Sequence, residues 1–294
     1  MKPFFSIILP TYNRGYILEN SIKSIIRQEF SNWELIVIDD GSTDDTSEVI
    51  KKYLELDKRI NYYYQRNSER SAARNNGIAK AEGDFITFLD SDDQFEEKHL
   101  KNLFDSINKS IEKSVVFVTG SQIVDTNGKL LSVSQIKPKN CDSETILENT
   151  ITPGQMCIPS NFLRKHLFNE KIRISEDTEL LFRLIEDAPL KILDYTSLLY
   201  IHHVGNSINP FKNNVYLERK KTLELIFKLS VGKKVSSRIK RKVLSDCFFG
   251  ISKYYAANSN NWMVRWSMIK AIIQYPEQRF KEKFYLVLFP KKSI

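Results

Sequence analysis

Cysteine is scarce in this sequence, and its spacing excludes the common structural metal sites. Cys141, Cys157 and Cys247 are the only three cysteines in 294 residues, and none lies in a CxxC or Cys/His arrangement. Widely separated cysteines in odd number are typical of a protein in a reducing compartment, without a disulfide framework. We therefore expect a cytoplasmic protein without structural zinc.

Long hydrophobic runs are also absent. No stretch reaches the about 18 apolar residues of a membrane-spanning helix. The apolar run at 4–9 is too short for a secretory signal, and it continues as Pro10-Thr11-Tyr12-Asn13 rather than as a cleavage site. We therefore expect neither an integral membrane protein nor a secreted one.

Glycine-rich phosphate-binding motifs are missing as well. Glycine occurs 10 times, with no GxGxxG after the first predicted strand and no GxxxxGK[ST] anywhere. These loops cradle phosphates in dinucleotide-binding and P-loop proteins. A nucleotide bound by this chain would have to be held by other groups.

Charge of opposite sign is divided between two parts of the chain. The net charge is +8, but residues 211–294 hold 19 basic and 5 acidic residues, a net of +14. The remaining 25 basic and 31 acidic residues give 1–210 a net charge of −6. A basic tail on an acidic body suits anionic lipid, nucleic acid or simple solubility. No nucleic-acid-binding motif is visible, so nucleic acid is not an expected partner.

Apolar runs of two kinds alternate along the first part of the chain, in a sequence that is 41% hydrophobic and 12% aromatic. Short continuous runs predict buried strands, and helically spaced runs predict helices. The predicted strands are 4–9, 33–38, 61–65, 84–89 and 115–118, and the predicted helices include 17–26, 49–54, 71–81 and 96–108. This alternation predicts an α/β sheet with helices on both faces.

The later part of the chain has different patterns. Asn127-Gly128, between the β-type runs 122–125 and 130–134, predicts a hairpin. After about residue 212 the pattern is helical almost to the end. We therefore expect a helical extension that follows the α/β part.

Acidic residues follow two of the predicted buried strands. Asp39 and Asp40 follow the second strand, and Asp90, Asp92 and Asp93 follow the fourth. Ligands bind at the carboxyl ends of strands in such sheets. Side chains alternate in extended chain, so Asp90 and Asp92 should point the same way. Like charges at one strand end favour a hard divalent ion between them, Mg²⁺ or Mn²⁺.

Simpler interpretations of these acidic residues stay open. An isolated DxDD sequence is often a solvated acidic turn. The segment 39–42 also suits a turn and a helix cap, with Ser42 and Asp45 at capping-box-like spacing. A response-regulator-like or phosphatase-like acidic pocket is another alternative.

Four sequence motifs follow one another along the first part of the chain. They are SIILPTYNR at 6–14, LIVIDDGSTD at 35–44, ARNNGI at 73–78 and GDFITFLDSDD at 83–93. In this order and spacing they resemble the motifs of family-2 inverting glycosyltransferases with the GT-A fold. The resemblance is close from residue 4 to about 125 and loose over 160–210.

The resemblance implies a division of the chain and a nucleotide-sugar site. A GT-A catalytic domain would cover 1–210, with a nucleotide-sugar half at 1–120 and an acceptor half at 121–210, and 211–294 would be a basic helical region. The implied nucleotide-sugar-binding residues are Pro10, Thr11, Tyr12, Arg14, Asp39, Asp40, Arg74, Asp90 and Ser91. Tyr12 would place its ring against uracil. The Asp40 carboxylate would accept a hydrogen bond from the uracil imide, which implies a UDP-sugar.

The resemblance also implies a metal site. Asp90 and Asp92 match the DxD element, in which Asp92 binds Mn²⁺ or Mg²⁺ and Asp90 faces ribose or sugar and is a further candidate metal ligand. His203, in Tyr200-Ile201-His202-His203, matches a histidine that contacts metal or diphosphate. Ile201 stands where the family frequently has an arginine. Adjacent histidines cannot share one extended face, so only one of the two is expected as a ligand.

A Glu-Asp pair later in the chain resembles the family's catalytic segment. Glu176 and Asp177 open a predicted helix, and the resemblance implies Asp177 as the general base. An inverting transfer needs such a group, because the acceptor hydroxyl must lose a proton as it attacks. The alternative is that both acids only stabilise a helix N-terminus.

The basic tail combines cations with aromatic residues. Trp262, Arg265, Trp266 and Ile269 share a predicted helical face, and a further aromatic run lies at 284–289. This composition favours contact with a bilayer surface. The alternative is a helical subdomain that packs both tryptophans into its own core.

Together these features predict a metal-dependent inverting glycosyltransferase. It would move a hexose or N-acetylhexosamine from a UDP-sugar to a glycan or lipid-linked glycan in capsule, O-chain or exopolysaccharide synthesis. The expected location is cytoplasmic, peripheral on the inner face of the membrane. A homodimer is one option for the oligomeric state. The alternatives are a catalytically dead, membrane-associated sugar-binding or assembly protein of this fold, and a nucleotidyltransferase.

Overall fold

The computed structural model describes residues 2–112, 114–137, 141–203 and 214–276. The strands in these ranges are β1 (Phe5–Thr11), β2 (Trp33–Asp39), β3 (Ile60–Tyr64), β4 (Phe85–Phe88), β5 (Gln94–Phe95), β6 (Val116–Asp125), β7 (Leu130–Ser134), β8 (Met156–Pro159) and β9 (Leu190–His202). The α-helices are α1 (Gly15–Ile26), α2 (Thr46–Leu56), α3 (Glu69–Lys80), α4 (His99–Asn108), α5 (Ser143–Glu148), α6 (Ser160–Leu163), α7 (Glu176–Asp187), α8 (Val215–Ile226), α9 (Ser230–Lys234), α10 (Ser237–Ala257) and α11 (Asn261–Gln274).

These elements form two compact units that interleave along the chain. The first unit comprises Met1–Asp142, Ile151–Lys171 and Asp187–Val204, within the limits of the described residues. The second comprises Ser143–Thr150, Ile172–Glu186 and the described C-terminal residues 214–276. The predicted domain division after residue 210 stays a prediction.

The first unit is built on a mixed sheet. Its strand order is β3-β2-β1-β4-β8-β6-β9-β5, and β7 pairs with β6 beside this path. β3, β2, β1 and β4 are parallel to one another, and β8 is antiparallel to β4 and β6. The sheet confirms the predicted α/β architecture.

Helices cover both faces of the parallel half of the sheet. Ile7 and Leu9 of β1 belong to one core cluster with Leu18 and Ile22 of α1. On the other face Ile8 meets α3, where an added Cβ on Gly77 would lie 2.5 Å from an Ile8 methyl carbon. Burial on both faces explains why these strands are almost continuously apolar.

The predicted hairpin is confirmed, and its first strand is longer than expected. β6 and β7 pair antiparallel, and Gly128 in the connection has a φ of 79°, in the left-handed region that glycine tolerates. The β-type runs at 115–118 and 122–125 belong to the one strand β6, whose pairing with β9 shifts register near Gly120.

The predicted capping role of Ser42 is wrong. α2 begins at Thr46 with Asp45 as its N-cap, and Ser42 Oγ instead accepts a hydrogen bond from Asn13 N at 2.9 Å. The Ser42 hydroxyl therefore connects the loops after β1 and β2 rather than capping the N-terminus of α2.

The second unit is helical, as predicted for the described part of the tail. α10 packs along α11 and also contacts α8 and α5. Across the described ranges, no helix is both long enough and apolar enough to cross a bilayer.

A buried histidine in the first unit predicts sensitivity to acid. His99 is fully enclosed, its Nδ1 lies 2.7 Å from Ser197 Oγ, and its ring stacks on Phe95 with centroids 3.8 Å apart. Burial lowers the pKa of His99 to about 3. Below about pH 6.5 the unfolded chain therefore binds a proton on His99 that the folded chain does not bind. The contribution of His99 to stability is full above that pH and is lost as pH falls towards 3.

We expect acidification from pH 7 to pH 5 to cost about 2 kcal/mol of unfolding free energy through His99 alone. Urea denaturation at the two pH values measures this cost. His99→Gln should remove most of that difference, whereas substitution of the exposed His202 by glutamine should not. A His99→Gln protein with the full wild-type pH dependence would contradict this assignment.

Candidate active site

The site is built on the loops that leave the carboxyl ends of β1, β2 and β4. These strands are neighbours, and the register that pairs Thr11 with Asp39 brings the ends of β1 and β2 side by side. Asn13 has a φ of 51°, and its Oδ1 accepts a hydrogen bond from Thr43 N at 2.8 Å. The first loop is therefore fixed against the second in a backbone conformation that asparagine tolerates better than most residues.

Both aspartates after β2 are buried and hydrogen-bonded. Asp39 Oδ1 accepts from Ser42 N at 2.8 Å, and its Oδ2 accepts from Tyr62 Oη at 2.8 Å. Asp40 Oδ1 accepts from Ser68 N at 2.8 Å. Buried carboxylates held by donors in this way have fixed orientations.

A relay of amide side chains holds Asp40 from the neighbouring elements. Gln65 Nε2 donates to Asp40 Oδ1 at 2.7 Å, and Asn76 Nδ2 of α3 donates to Gln65 Oε1 at 2.8 Å. No hydrogen bond from the described residues reaches Asp40 Oδ2, so this oxygen is the one available to a ligand. The sequence does not identify Tyr62 or Gln65 as site residues, because Tyr62 lies within β3 and Gln65 directly follows it, and the strand pattern carries no chemical signal.

The predicted residues at the end of β1 differ in exposure. Pro10 and Thr11 are buried, and Tyr12 is half exposed. Thr11 Oγ1 is buried without a hydrogen-bond partner among the described residues. A buried hydroxyl in this state is costly unless a ligand or water satisfies it, which is typical of a binding site.

Arg74 and Asp90 form a partly buried ion pair beside these loops. The Arg74 guanidinium is almost fully enclosed, its Nη2 lies 2.8 Å from Asp90 Oδ1, and its Cζ lies 5.3 Å from the centroid of the Phe168 ring. Arg74 lies on α3, which packs closely against Ile8 of β1 at Gly77. The pair fixes Asp90, whose side chain stays partly open to solvent.

The DxDD segment is a turn, not an extension of the strand. β4 ends at Phe88, and Asp93 N donates to Asp90 O at 3.0 Å. The predicted alternation of Asp90 and Asp92 on one strand face is therefore wrong. Ser91 is buried in this turn, and its carbonyl oxygen accepts from Ser21 Oγ at 2.9 Å.

Asp92 is the meeting point of two cationic or potentially cationic side chains. Its Oδ2 lies 3.5 Å from Arg14 Nη2 and 3.2 Å from His203 Nε2. His203 comes directly after β9 and is enclosed, while His202 at the end of that strand is exposed. The structure therefore brings three of the predicted residues together, from loops after β1, β4 and β9.

The Asp92 carboxylate and the His203 imidazole are compatible with a divalent ion as two of its ligands, although the described residues do not supply a complete set of protein ligands. In the described parts of the chain, no group of three or more His, Cys, Asp or Glu side chains converges on a metal position. Asp90 is held by Arg74 rather than by the Asp92–His203 pair. A carboxylate oxygen and an imidazole nitrogen fit a metal that takes its remaining ligands from diphosphate and water.

Burial and the acidic turn together raise the pKa values of two further groups, Asp93 and Tyr200. Burial, reinforced by Asp90 and Asp92, raises the pKa of the Asp93 carboxyl well above its ordinary value, which favours the protonated form. Asp93 Oδ1 accepts from Ile201 N at 3.1 Å, so Asp93 ties the acidic turn to β9. Burial and the same acids raise the pKa of Tyr200 to about 12.

Asp177 lies at the start of α7, in the second unit, as the sequence predicts for a helix-opening acid. Its Oδ1 accepts hydrogen bonds from Thr178 N at 2.6 Å and from Thr178 Oγ1 at 3.2 Å. Ser175 has a φ of 62°, an uncommon conformation for serine that turns the chain into the helix. The role of Asp177 as general base stays a prediction.

Comparison with solved structures identifies the class of fold. A crystal structure of Staphylococcus aureus TarS 1–349 in complex with UDP-GlcNAc matches with a TM-score of 0.66 over 99% of this chain and 87% of that chain, at 20% identity. This likeness confirms the predicted GT-A fold, to which the described part of the chain adds C-terminal helices.

The sequence profile of Glycosyl transferase family 2 matches residues 6–173. The chain belongs to this family and is a glycosyltransferase. The matched range includes the loops after β1, β2 and β4 but ends before Asp177 and His203, whose assignments rest on the shorter motifs.

Curated relatives extend over most of the chain. It is 33% identical over 236 residues to an uncharacterized glycosyltransferase of Haemophilus influenzae, covering 74% of this chain and 90% of the relative. It is 29% identical over 273 residues to the GalNAc(5)-diNAcBac-PP-undecaprenol beta-1,3-glucosyltransferase of Campylobacter jejuni, covering 88% of this chain and 85% of the relative.

Proposed function

We propose that this protein is a metal-dependent inverting glycosyltransferase that moves a hexose or N-acetylhexosamine from a UDP-sugar to a hydroxyl of a lipid-linked glycan. One observation carries the proposal: the loops after β1, β2 and β4 gather the Asp39–Asp40 pair, the Arg74–Asp90 pair and Asp92 at one edge of the sheet. Acids and cations that are fixed in place at this edge suit a nucleotide diphosphate and its metal.

Recognition of uracil is assigned to Asp40 and Tyr12. Asp40 has one oxygen held by Gln65 and Ser68, which leaves its other oxygen to accept from a ligand N–H. Uracil offers an imide N–H at the corresponding position, and a half-exposed ring such as that of Tyr12 offers a stacking surface. The solved TarS complex with UDP-GlcNAc, which has a similar fold, supports this choice of nucleotide.

The metal and diphosphate are assigned to Asp92, His203, Arg14 and the Arg74–Asp90 pair. Bound Mn²⁺ or Mg²⁺ would neutralise charge on the departing diphosphate. Asp92 and His203 would hold the ion, and Arg14, 3.5 Å from Asp92, is placed to turn to the diphosphate. Arg74 would fix Asp90 towards ribose or sugar, because its guanidinium is already committed to that carboxylate.

Proton removal is assigned to Asp177. In-line displacement at the anomeric carbon forms the new C–O bond as the bond to the diphosphate breaks, and the acceptor hydroxyl loses its proton in the same step. The position of Asp177 at the start of α7 is one where the helix dipole favours a negatively charged side chain. The Glu-Asp motif supports Asp177 for this role.

The acceptor and location are inferred from a relative and from charge. The Campylobacter jejuni relative is named for a glycan on PP-undecaprenol, which supports a lipid-linked acceptor here and a role in surface-polysaccharide synthesis. The net charge of +14 over 211–294 supports peripheral attachment to the inner face of the membrane. In this proposal 1–210 is catalytic and 211–294 supplies the basic attachment region.

The proposal is tested by calorimetric titration and by a donor screen. We expect UDP to release measurable heat with wild-type protein and Mn²⁺, and UDP-sugars to be hydrolysed slowly in a metal-dependent way, with GDP and GDP-sugars as controls. The physical reason is that the Asp40 carboxylate can accept a hydrogen bond from uracil's imide N–H. Guanine also has a ring N–H, so the GDP controls measure whether the site distinguishes the two bases. Absence of heat with UDP and Mn²⁺ would remove the nucleotide assignment.

A further inference from the structure

Helix α11 of the second unit packs through only one of its faces. Val264, Met268 and Ala271 are fully buried. Met268 packs against Phe249 of α10, and Ala271 O accepts a hydrogen bond from Ser245 Oγ at 2.7 Å. These contacts hold α11 on α10 along a face of small and aliphatic side chains.

The opposite face carries four large apolar side chains, which we call the α11 stripe: Trp262, Trp266, Ile269 and Ile273. They are 68%, 39%, 48% and 66% exposed, in that order. At about 100° per residue, all four fall within an arc of about 60°. Single exposed hydrophobic residues are ordinary, but a continuous line of them along a helix marks an interaction surface.

Cations border the α11 stripe on both sides. Arg265 and Lys270 are exposed at its two edges, and Lys270 Nζ lies 5.5 Å from the centroid of the Trp266 ring. α11 contains no acidic residue. Over 214–276 the chain has 13 basic and 3 acidic residues, a net charge of +10. An apolar protein groove would match the stripe but not this surplus of positive charge, whereas an anionic bilayer surface matches both.

The dimensions of α11 suit a helix that lies in the plane of a bilayer. With 14 residues it is about 21 Å long, shorter than the about 30 Å hydrocarbon core. Indole rings are favoured where acyl chains meet headgroups, because they are apolar with one N–H donor. The aliphatic stems of Arg265 and Lys270 let their charges reach lipid phosphates while the stripe is immersed.

We infer that the α11 stripe, together with Arg265 and Lys270, is the surface that docks this protein on a bilayer containing anionic lipid. The inference deepens the membrane location within the proposed function and takes its biological sense from it. The binding itself depends on residues that have no part in the nucleotide site. Trp262, Ile269 and Ile273 project away from the packed face of α11. Trp266 also contacts Phe248 of α10 edge to face, with ring centroids 6.1 Å apart, so circular dichroism of the tryptophan variant accompanies its flotation.

Flotation of the full chain with vesicles tests the stripe. Wild-type protein should float with phosphatidylcholine vesicles that contain phosphatidylglycerol and much less with phosphatidylcholine alone. Trp262→Ser/Trp266→Ser should need at least about tenfold more anionic lipid for half-maximal binding. The matched control is Leu130→Ser/Leu131→Ser in β7, which removes two half-exposed apolar side chains from the first unit and should float like wild type.

A second pair of variants tests the position of the charge. Arg265→Gln/Lys270→Gln should weaken binding about 30-fold, since one cation near the surface contributes about fivefold. Lys233→Gln/Lys234→Gln removes the same charge from α9 and should weaken binding much less. Equal losses in the two pairs would show that attraction is spread over the basic surface, and the docking assignment would be overturned.

Two other results would also overturn it. One is unchanged flotation of the tryptophan double variant, as expected if the stripe is covered by another part of this chain. The other is an altered sedimentation coefficient without altered flotation, which would make the stripe a contact between copies. UDP titration of the same preparations separates the two proposals: flotation without UDP binding contradicts only the transferase site, and UDP binding without flotation contradicts only the docking surface.

Discussion

Replacement of Asp92 by alanine should abolish the enhancement of UDP binding by Mn²⁺. Asp92 Oδ2 approaches both Arg14 and His203, at 3.5 Å and 3.2 Å. Its removal takes away the negative ligand and leaves one imidazole nitrogen for the ion. We expect the apparent affinity for Mn²⁺ in the presence of UDP to fall at least about 100-fold, measured by calorimetric titration of metal into the protein–UDP mixture.

The control for this experiment lies at the other end of the same strand. Asp84 precedes β4 at its amino end and forms an ion pair with Lys2 at the surface. Asp84→Ala therefore removes a paired aspartate without touching the loops of the site, and Mn²⁺ should enhance its UDP binding as in wild type. UDP binding without metal should persist in Asp92→Ala, because Asp40 and Tyr12 are unchanged. An undiminished effect of Mn²⁺ in that variant would exclude Asp92 as a ligand.

Asp177→Asn should eliminate sugar transfer while leaving UDP affinity unchanged. The asparagine Oδ1 can still accept the hydrogen bonds that Thr178 N and Oγ1 make to Asp177, so the start of α7 should be kept. What is lost is the basicity that removes the acceptor proton. We expect kcat for transfer to fall about 10² to 10⁴-fold, the usual contribution of a general base, with KM for the UDP-sugar little changed.

Asp187→Asn is the matched control, since Asp187 ends the same helix and pairs with His166 at 3.1 Å rather than with any proposed substrate group. It should keep near wild-type turnover. Circular dichroism and UDP titration of both variants establish that they are folded and bind nucleotide. Substantial transfer by Asp177→Asn would remove that residue from the base role and direct attention to other acids.

The parallel half of the sheet was predictable because its strands are buried on both faces. β1 and β2 are almost continuous apolar runs, so their sequences differ from those of amphipathic helices in length and in β-branched content. β9 was missed because its burial alternates irregularly along 13 residues. β5 and β8, with 2 and 4 residues, are too short to distinguish from loops by pattern.

The contacts inside the site were less predictable than the residues themselves. Asp92 was identified, but its partners depend on β9 running beside β6, which brings His203 to the acidic turn. The turn at Asp90–Asp93 is held by the hydrogen bond from Asp93 N to Asp90 O and by the Ser21 hydroxyl, which donates to Asp93 O. A strand-type hydrophobic pattern gives no information about either contact. Tyr62 and Gln65 orient Asp39 and Asp40 only because β3 lies next to β2.

The two interpretations of the tryptophans in the tail are distinguished by burial. Helical spacing places Trp262 and Trp266 on one face, and spacing alone fits a core or a surface equally well. The structure leaves that face exposed, because the smaller residues Val264 and Ala271 occupy the contact with α10. The aromatic run at 284–289 lies outside the described residues.

The sequence by itself determined the α/β architecture and the family resemblance, and it supplied most of the candidate site residues. Hydrophobic periodicity and the order of motifs are properties of local stretches of chain, and these can be read without coordinates. Only the tertiary structure decided which of these residues meet: Arg14 and His203 at Asp92, Arg74 at Asp90, and Gln65 at Asp40. Such contacts join strands and loops distant in sequence, so they follow from strand order and register, which no local pattern encodes.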